Sequence, residues 1–415
     1  MMSISDLKHA LRKYEFPACA KEALIRIEQL LVGRAAPSTK QMDIAMDIIA
    51  EFVFCETDRR GGRRSVGISP LQELQLIDVI CEYISACASE TTKNTIFLSL
   101  FGGMESQRRL KVLSILASMA VSASSTPVLL AVGVWLHQMG CSSSQSLQLA
   151  ENIIRDHFFL NTSNQMMLKS LANTAPQFVS NFITAVTELY MHDVQGTRKM
   201  PPRNLLEVIT CWVYSNPTLC MSAQLNPAAL PSGSIPMAAV TPLAGLVHWC
   251  ALAPIYSGEN TAPKLRFKER SNVELADIQV PMKRIKLEND HIPKQGVPQK
   301  TVTEAELYTQ LHLGVLHSLR AGRRTHGPPT AVNAQNLVGL TPHVQAYAHS
   351  LLKRGIKLQN DEKLQDCLDR IGQAVQVALA NGCVYGNISN LLAALDTLPE
   401  NRLLRIIIKT HQQTI

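Results

Sequence analysis

Apolar residues recur along this chain at three- and four-residue steps. Leu71, Leu74, Ile77, Cys81, Ile84 and Ala88 form one such stripe, with Gln72, Glu73, Asp78 and Glu82 on the other side. That is the pattern of an amphipathic helix with one face in a core. Other segments have hardly any polar side: Val112 to Ala150 carries no Asp, Glu, Lys or Arg. Helices apolar nearly all round must be covered by other helices. The spacing predicts helices near 5–15, 17–32, 40–55, 70–88, 91–101, 106–122, 127–139, 143–159, 163–172, 176–191, 202–215 and 242–253. Their short connections predict antiparallel neighbours. From Pro176, Phe178, Phe182, Val186 and Tyr190 share a face; from Pro202, Leu205, Ile209, Trp212 and Val213 do.

Helix starts are marked by Ser69-Pro70, Thr126-Pro127, Thr241-Pro242 and Thr341-Pro342. In each, the hydroxyl suits an N-cap and the proline the first helical position, where its missing amide costs nothing. Ser69 with Gln72 also fits a capping box. The same pairs have the form of proline-directed kinase sites, but an apolar helix follows each at once and capping is the preferred reading. Trp212 and Trp249 stand 37 residues apart and Pro202 and Pro242 stand 40 apart, about the period of a helix-pair repeat. The other spacings are irregular, so any repeat is degenerate.

The pattern changes after Pro254. Residues 256–302 hold Pro263, Pro281, Pro293 and Pro298, many charges and no sustained apolar stripe, the composition of a flexible, disordered linker. Helical spacing returns with Leu307, Leu311, Val315 and Leu319. After a loop near Arg320 to Asn336 come Leu364, Leu368, Ile371, Val375 and Ala378, closed by Asn381-Gly382 as a left-handed cap, and two short helices at Leu391–Leu398 and Leu403–Ile408. The expected fold is all-α: an irregular stack of antiparallel helix pairs, a HEAT- or armadillo-like solenoid. The expected organisation is a helical-repeat domain at 1–255, a basic linker at 256–302 and a smaller helical domain at 303–415.

Composition narrows the function. Of 415 residues, 46% are hydrophobic and 18% charged, which excludes wholesale disorder, and the net charge of +7 suits a nuclear setting without requiring nucleic-acid contact. The 10 cysteines are scattered singly with no C-x-x-C pair, which argues against a zinc framework and for a reducing compartment. The start, Met1 to Glu15, has no apolar signal core. The most membrane-like stretch, Val112 to Leu136, is split by Ser122, Ser124, Ser125 and Pro127 into pieces short of the ~20 residues a span needs, so a buried hairpin is expected instead.

No catalytic constellation stands out: there is no G-x-G-x-x-G, Walker loop, G-x-S-x-G or H-E-x-x-H. His312 and His317 are five apart, off a shared helix face. His248 reads as a packed or surface histidine, and Asp156, Glu188 and Glu207 as solvated carboxylates. No catalytic residue, metal ligand or cofactor site is assigned. Two kinds of basic segment remain. Pro281-Met282-Lys283-Arg284-Ile285-Lys286-Leu287-Glu288 resembles a monopartite nuclear import signal carried by Lys283, Arg284 and Lys286, and Ile285-Lys286-Leu287-Glu288 has the form of a sumoylation acceptor at Lys286. Arg59, Arg60, Arg63 and Arg64 around Gly61-Gly62, and Arg320, Arg323 and Arg324, are candidate phosphate or RNA contacts, but lack interleaved aromatics and read better as solvated loops.

Several ordered blocks together resemble one family, the metazoan Integrator complex subunit 15 family, in an invertebrate form. They run from Leu71–Ile77 through Ser118–Val121 with Pro127–Leu136, Pro176–Tyr190, Pro201–Trp212 and Leu225–Cys250 to Leu311–Leu313, Leu368–Arg370, Gln373–Gly382 and Leu403-Leu404. The resemblance implies an all-helical, noncatalytic scaffold in a nuclear assembly that associates with RNA polymerase II, matures small nuclear RNA 3′ ends and attenuates transcription. It further implies a link between a peripheral module of subunits 10, 13 and 14 and the core, with nuclease and phosphatase in other subunits, and no membrane or direct nucleic-acid contact. Two departures stand out: the basic linker is longer and differently composed, and the Pro/His-rich carboxyl tail of vertebrate members is not present before Ile415. The alternative from the residues alone is a helical-repeat RNA-binding protein using its arginine loops.

Overall fold

The computed structural model describes residues 4–33, 35–56, 68–103, 106–160, 165–190, 193–194, 197–238, 240–256, 302–321 and 331–412. The chain opens with α1 (Ile4–Leu11), α2 (Ala18–Leu31) and α3 (Thr39–Ile48), the last continued by a π-helical turn at Ile49–Val53. Next come α4 (Pro70–Ala86), α5 (Glu90–Phe101), α6 (Gln107–Ala123), α7 (Thr126–Met139) and α8 (Ser144–Ile154), which ends in a second π-helical turn, Arg155–Leu160. Then follow α9 (Gln165–Thr174), α10 (Pro176–Leu189), the hairpin β1 (Asp193–Val194) and β2 (Thr197–Arg198), α11 (Arg203–Ser215), α12 (Ser222–Leu225) and α13 (Leu243–Tyr256). After residue 301 come α14 (Glu304–Ala321), β3 (Val332–Asn333), α15 (Ala334–Val338), α16 (Thr341–Lys353), α17 (Glu362–Ala380), β4 (Val384–Tyr385), α18 (Ile388–Asp396) and α19 (Arg402–Gln412). β1 and β2 are antiparallel, with Asp193 opposite Arg198; β3 and β4 are parallel, with Val332 opposite Val384. This is the all-helical stack that the apolar spacing predicts. No described helix is long and apolar enough to cross a membrane.

The local signals explain most boundaries. Ser69 accepts a hydrogen bond from the Gln72 amide, and the Gln72 side chain accepts from the Ser69 amide, the reciprocal cap expected there. Gly382, at φ +64°, closes α17 in the left-handed conformation that glycine adopts without strain. Capping by the three threonines is not what the structure contains. Thr126 is already inside α7, and its N-cap, Ser125, makes no side-chain cap. The Thr241 hydroxyl donates to the Ala331 carbonyl, and the Thr341 hydroxyl donates to Val338, so tertiary or preceding-turn acceptors took the place of helix amides.

The stripe read on α4 is also displaced. Leu76, Ile77, Ile80 and Ile84 are buried, whereas Leu71 is 66% exposed and Leu74 is exposed as well. Glu73 is buried instead and accepts from Lys111 of α6 at 2.7 Å. Apolar residues cover more than half of this helix, so spacing alone left two faces open, and the positions of α2 and α6 chose between them.

The core centres on α10, where every residue from Phe178 to Thr187 is buried. α7 lies against it so closely that a Cβ on Gly133 would stand 2.9 Å from the Phe178 backbone; Asn181 donates to the Gly133 carbonyl at 2.9 Å. On another side α13 passes α10 with Gly245 against Thr187. The tryptophans sit among these helices, with Trp135 donating to the Phe101 carbonyl and Trp212 to that of Leu168, both at 2.8 Å. Trp212 meets Phe182 edge-on and Trp249 meets Tyr190 edge-on.

The helices after residue 301 bury their apolar faces on those before 257. α14 packs on α11 and α13, and α17 packs on α13 and α14. Arg370 of α17 donates to the Cys250 carbonyl and to the Thr309 hydroxyl, and His248 donates to the Asn336 carbonyl at 2.6 Å. α18 and α19 complete the far side against α15 and α17.

The α7–α10 crossing gives a direct test. Gly133→Ala forces a methyl onto the Phe178 backbone, which cannot yield as a side chain would. It is expected to lower stability by about 1–3 kcal/mol, read as a fall in the chemical-denaturation midpoint with the denaturant slope unchanged.

Candidate docking surface

Several of the described buried ionisable groups hold helices together. Buried Glu51 receives Lys8 and Arg12 of the first helical hairpin at 3.2 and 2.9 Å. Glu56 is gripped by Arg109 at 2.6 Å and by the Ser106 hydroxyl at 2.8 Å, while the Arg109 guanidinium lies 5.0 Å from the Phe54 ring centre. Burial alone would raise the Glu56 pKa, but those hydrogen bonds and the charges of Arg109 and Arg108 outweigh it and hold the carboxyl below its ordinary value. Asp156 accepts from Ser118 at 2.6 Å and Glu207 pairs with Arg203 at 2.9 Å, so these carboxylates are partnered rather than simply solvated. His248 is a packed histidine.

The buried thiols are poor nucleophiles. Burial pushes Cys141, Cys220 and Cys250 up to about 12, leaving almost no thiolate near neutral pH. Burial likewise lowers His157 and His312, disfavouring the imidazolium. His157 donates to the Ser118 carbonyl; His312 Nε2 bonds Gln373 Oε1 at 2.9 Å, and its Nδ1 has no partner among the described residues. Among the described residues, no three His, Cys, Asp or Glu side chains converge as a metal site. A small hollow is lined by Tyr190, Met200, Trp249, Leu252, Tyr256 and Tyr308 among others, and none of its lining residues carries a charge.

What the molecule presents outward is different. Met42 and Met46, one turn apart on α3, are exposed, as are Met119 on α6 and Met166 on α9. Flexible thioethers of this kind adapt to varied apolar partners. After α12 the chain runs as an irregular strap over 226–238, turning at Ser232-Gly233. It is pinned where Asn94 donates to the Ala229 carbonyl at 2.8 Å and His137 donates to that of Met237 at 2.9 Å. Between and beyond the pins, Ile235 is 86% exposed and Met237 and Val240 are exposed. A strap pinned at two carbonyls with outward apolar side chains is suited to being covered by another polypeptide.

Lys283, Arg284 and Lys286 lie outside the described residues, as do Arg59, Arg60, Arg63, Arg64, Arg323 and Arg324; Arg320 is exposed near the end of α14. Periodicity did not point to the strap, since it is not helical. Its signal was the spacing of Leu230, Ile235, Met237 and Val240 among Pro227, Pro231 and Pro236, apolar residues in a segment with no element of its own to bury them.

Comparison with known proteins agrees with the resemblance. The family model described as Integrator complex subunit 15 matches residues 5–400. The protein of that name from Drosophila melanogaster is 34% identical over 425 residues, covering 99% of this chain and 100% of the relative. Those from Homo sapiens and Danio rerio are 28% and 27% identical, covering 98% and 97% of this chain and 87% and 80% of their own lengths.

The buried imidazoles make stability pH-dependent. Unfolded, each takes a proton near pH 6.5; folded, only at lower pH. Between those values the unfolded chain binds more protons, so stability falls as pH drops below about 6.5 and is unaffected by these groups above it. Glu56 adds in the same sense further down: its contribution is present above about 4.5 and is lost as pH falls through its lower folded value. The melting temperature is therefore expected to fall between about pH 7 and pH 5. His312→Gln, which cannot titrate, is expected to reduce that fall.

Proposed function

Because the chain belongs to the Integrator complex subunit 15 family, we propose that it acts as a noncatalytic scaffold of that complex, joining a peripheral module of subunits 10, 13 and 14 to the core. In this reading it serves small nuclear RNA 3′-end processing and transcription attenuation beside RNA polymerase II, and works in the nucleus. Family membership over residues 5–400 carries the proposal. What supports the scaffold role is the distribution of chemistry: Glu51 and Glu56 are paired inside the stack, whereas apolar side chains on α3 and the 226–238 strap face outward. Stacked helices offer long surfaces on which partner helices or strands lie, with affinity carried by apolar anchors. The working organisation is a helical part at 1–255, a linker at 256–302 and a helical part at 303–415. The linker carries import through Lys283, Arg284 and Lys286, and a sumoylation acceptor at Lys286.

Two experiments test this. Tagged full-length protein recovered from nuclear extract and washed at high salt is expected to retain Integrator subunits, because apolar docking is insensitive to salt. Ile235→Asp with Met237→Asp is expected to weaken retention at least tenfold, on the order of one lost anchor, while leaving the melting temperature unchanged. Recovery of RNA alone, lost steeply as salt rises, would favour the RNA-binding alternative. For import, Lys283→Ala with Arg284→Ala is expected to leave a fluorescent fusion in the cytoplasm. Unchanged nuclear accumulation in cells depleted of the other subunits would refute the signal.

A further inference from the structure

The four Ser-Pro and Thr-Pro pairs share a two-residue pattern, and the fold separates them. Thr241 and Thr341 are each only 6% exposed, with their hydroxyls given to the Ala331 and Val338 carbonyls. Thr126 is half-buried, and so is Pro127. Ser69 and Pro70 are both exposed. We propose that Ser69 is a phosphorylation site for a proline-directed protein kinase.

A kinase takes its substrate as an extended strand with the hydroxyl free to reach ATP. Ser69 is already extended, at φ −68° and ψ 160°, and the hydrogen bond its oxygen accepts from Gln72 is long, at 3.3 Å. The residues on the far side of the proline are helical, so the first turn of α4 must open for the kinase. In that turn Leu71 is 66% exposed and Leu74 is exposed, while Glu73 is buried and paired with Lys111 of α6. Opening it breaks the Ser69–Gln72 cap and the Glu73–Lys111 pair but draws no apolar side chain out of the core, whereas exposing Thr241 or Thr341 requires α13 or α16 to leave it.

In the reaction the Ser69 oxygen attacks the γ-phosphorus of ATP. The O–P bond forms as the bond to the bridging β–γ oxygen breaks, ADP leaves, and the hydroxyl proton passes to the kinase base and then to water. The product carries a charge of about −1.5 to −2 at the start of α4. The Gln72 amide, already directed at the Ser69 oxygen, and the helix dipole favour negative charge there. Glu73 follows one turn later, but its carboxylate is neutralised by Lys111. The phosphate therefore tightens the first turn and marks the surface beside Leu71 and Leu74 with a dianion.

The test treats the intact full-length chain with ATP and a purified cyclin-dependent kinase and maps the phosphates by mass spectrometry, with heat-denatured chain alongside. In the native chain Ser69 is expected to be labelled on the order of tenfold or more above Thr126, Thr241 and Thr341, and in the denatured chain that preference is expected to disappear. Ser69→Ala should remove the native label. Hydrogen exchange of the phosphorylated chain should show slower exchange at Leu71 to Glu73. A native chain unlabelled at Ser69, or labelled equally at the buried threonines, overturns the proposal; faster exchange at Leu71 to Glu73 overturns the proposed tightening.

Discussion

The structure depends on helices that have no side for water. Every residue of α10 from Phe178 to Thr187 is buried, and α13 is buried along nearly its whole length. Fully burying one Leu, Ile, Val or Phe side chain is worth roughly 1.5–3 kcal/mol, so these rods are stable only when surrounded. That condition dictates the arrangement around them: α7, α8, α9 and α12 on α10, then α14 and α17 on α13. It also explains why helices separated by the long linker share one core. The earlier helices do not cover α13 on every side, and the later ones bring the missing surface.

Inside such a core a polar group must be paired or it costs free energy. Here the pairs fix the relative placement of elements. Asn181 ties α10 to a carbonyl of α7, Trp212 ties α11 to α9, and Arg370 ties α17 to α13 and α14. Apolar packing alone tolerates sliding; a hydrogen bond to one particular carbonyl does not. Glu51 and Glu56 do similar service near the amino terminus, each held by cations from other segments. These described ion pairs serve registration, while the apolar side chains that face outward are the basis of the proposed scaffold reading.

The candidate site was less legible than the fold. Exposed Met42 and Met46 look in sequence like any pair of apolar helix positions, because the spacing of a docking face and of a core face is the same. The strap at 226–238 has no periodicity, so only its position against α5 and α7 shows that Ile235 projects outward. α4 shows the same limit from the other direction: a helix apolar over more than half its circumference does not say which half is covered.

The sequence by itself determined where the helices lie and that they must be stacked. Those follow from contacts within a few residues: the Ser69–Gln72 cap, the Asn381-Gly382 stop, the three- and four-residue apolar steps and the absence of charge from Val112 to Ala150. Only the tertiary structure decided which face of each helix is inside, which threonine hydroxyls leave their helices for distant carbonyls, and how the later helices seat on α11 and α13. These outcomes rest on partners as remote as Thr241 with Ala331 and Cys250 with Arg370. Local propensity acts through a turn or two of chain, whereas burial compares all the surfaces the folded chain can bring together.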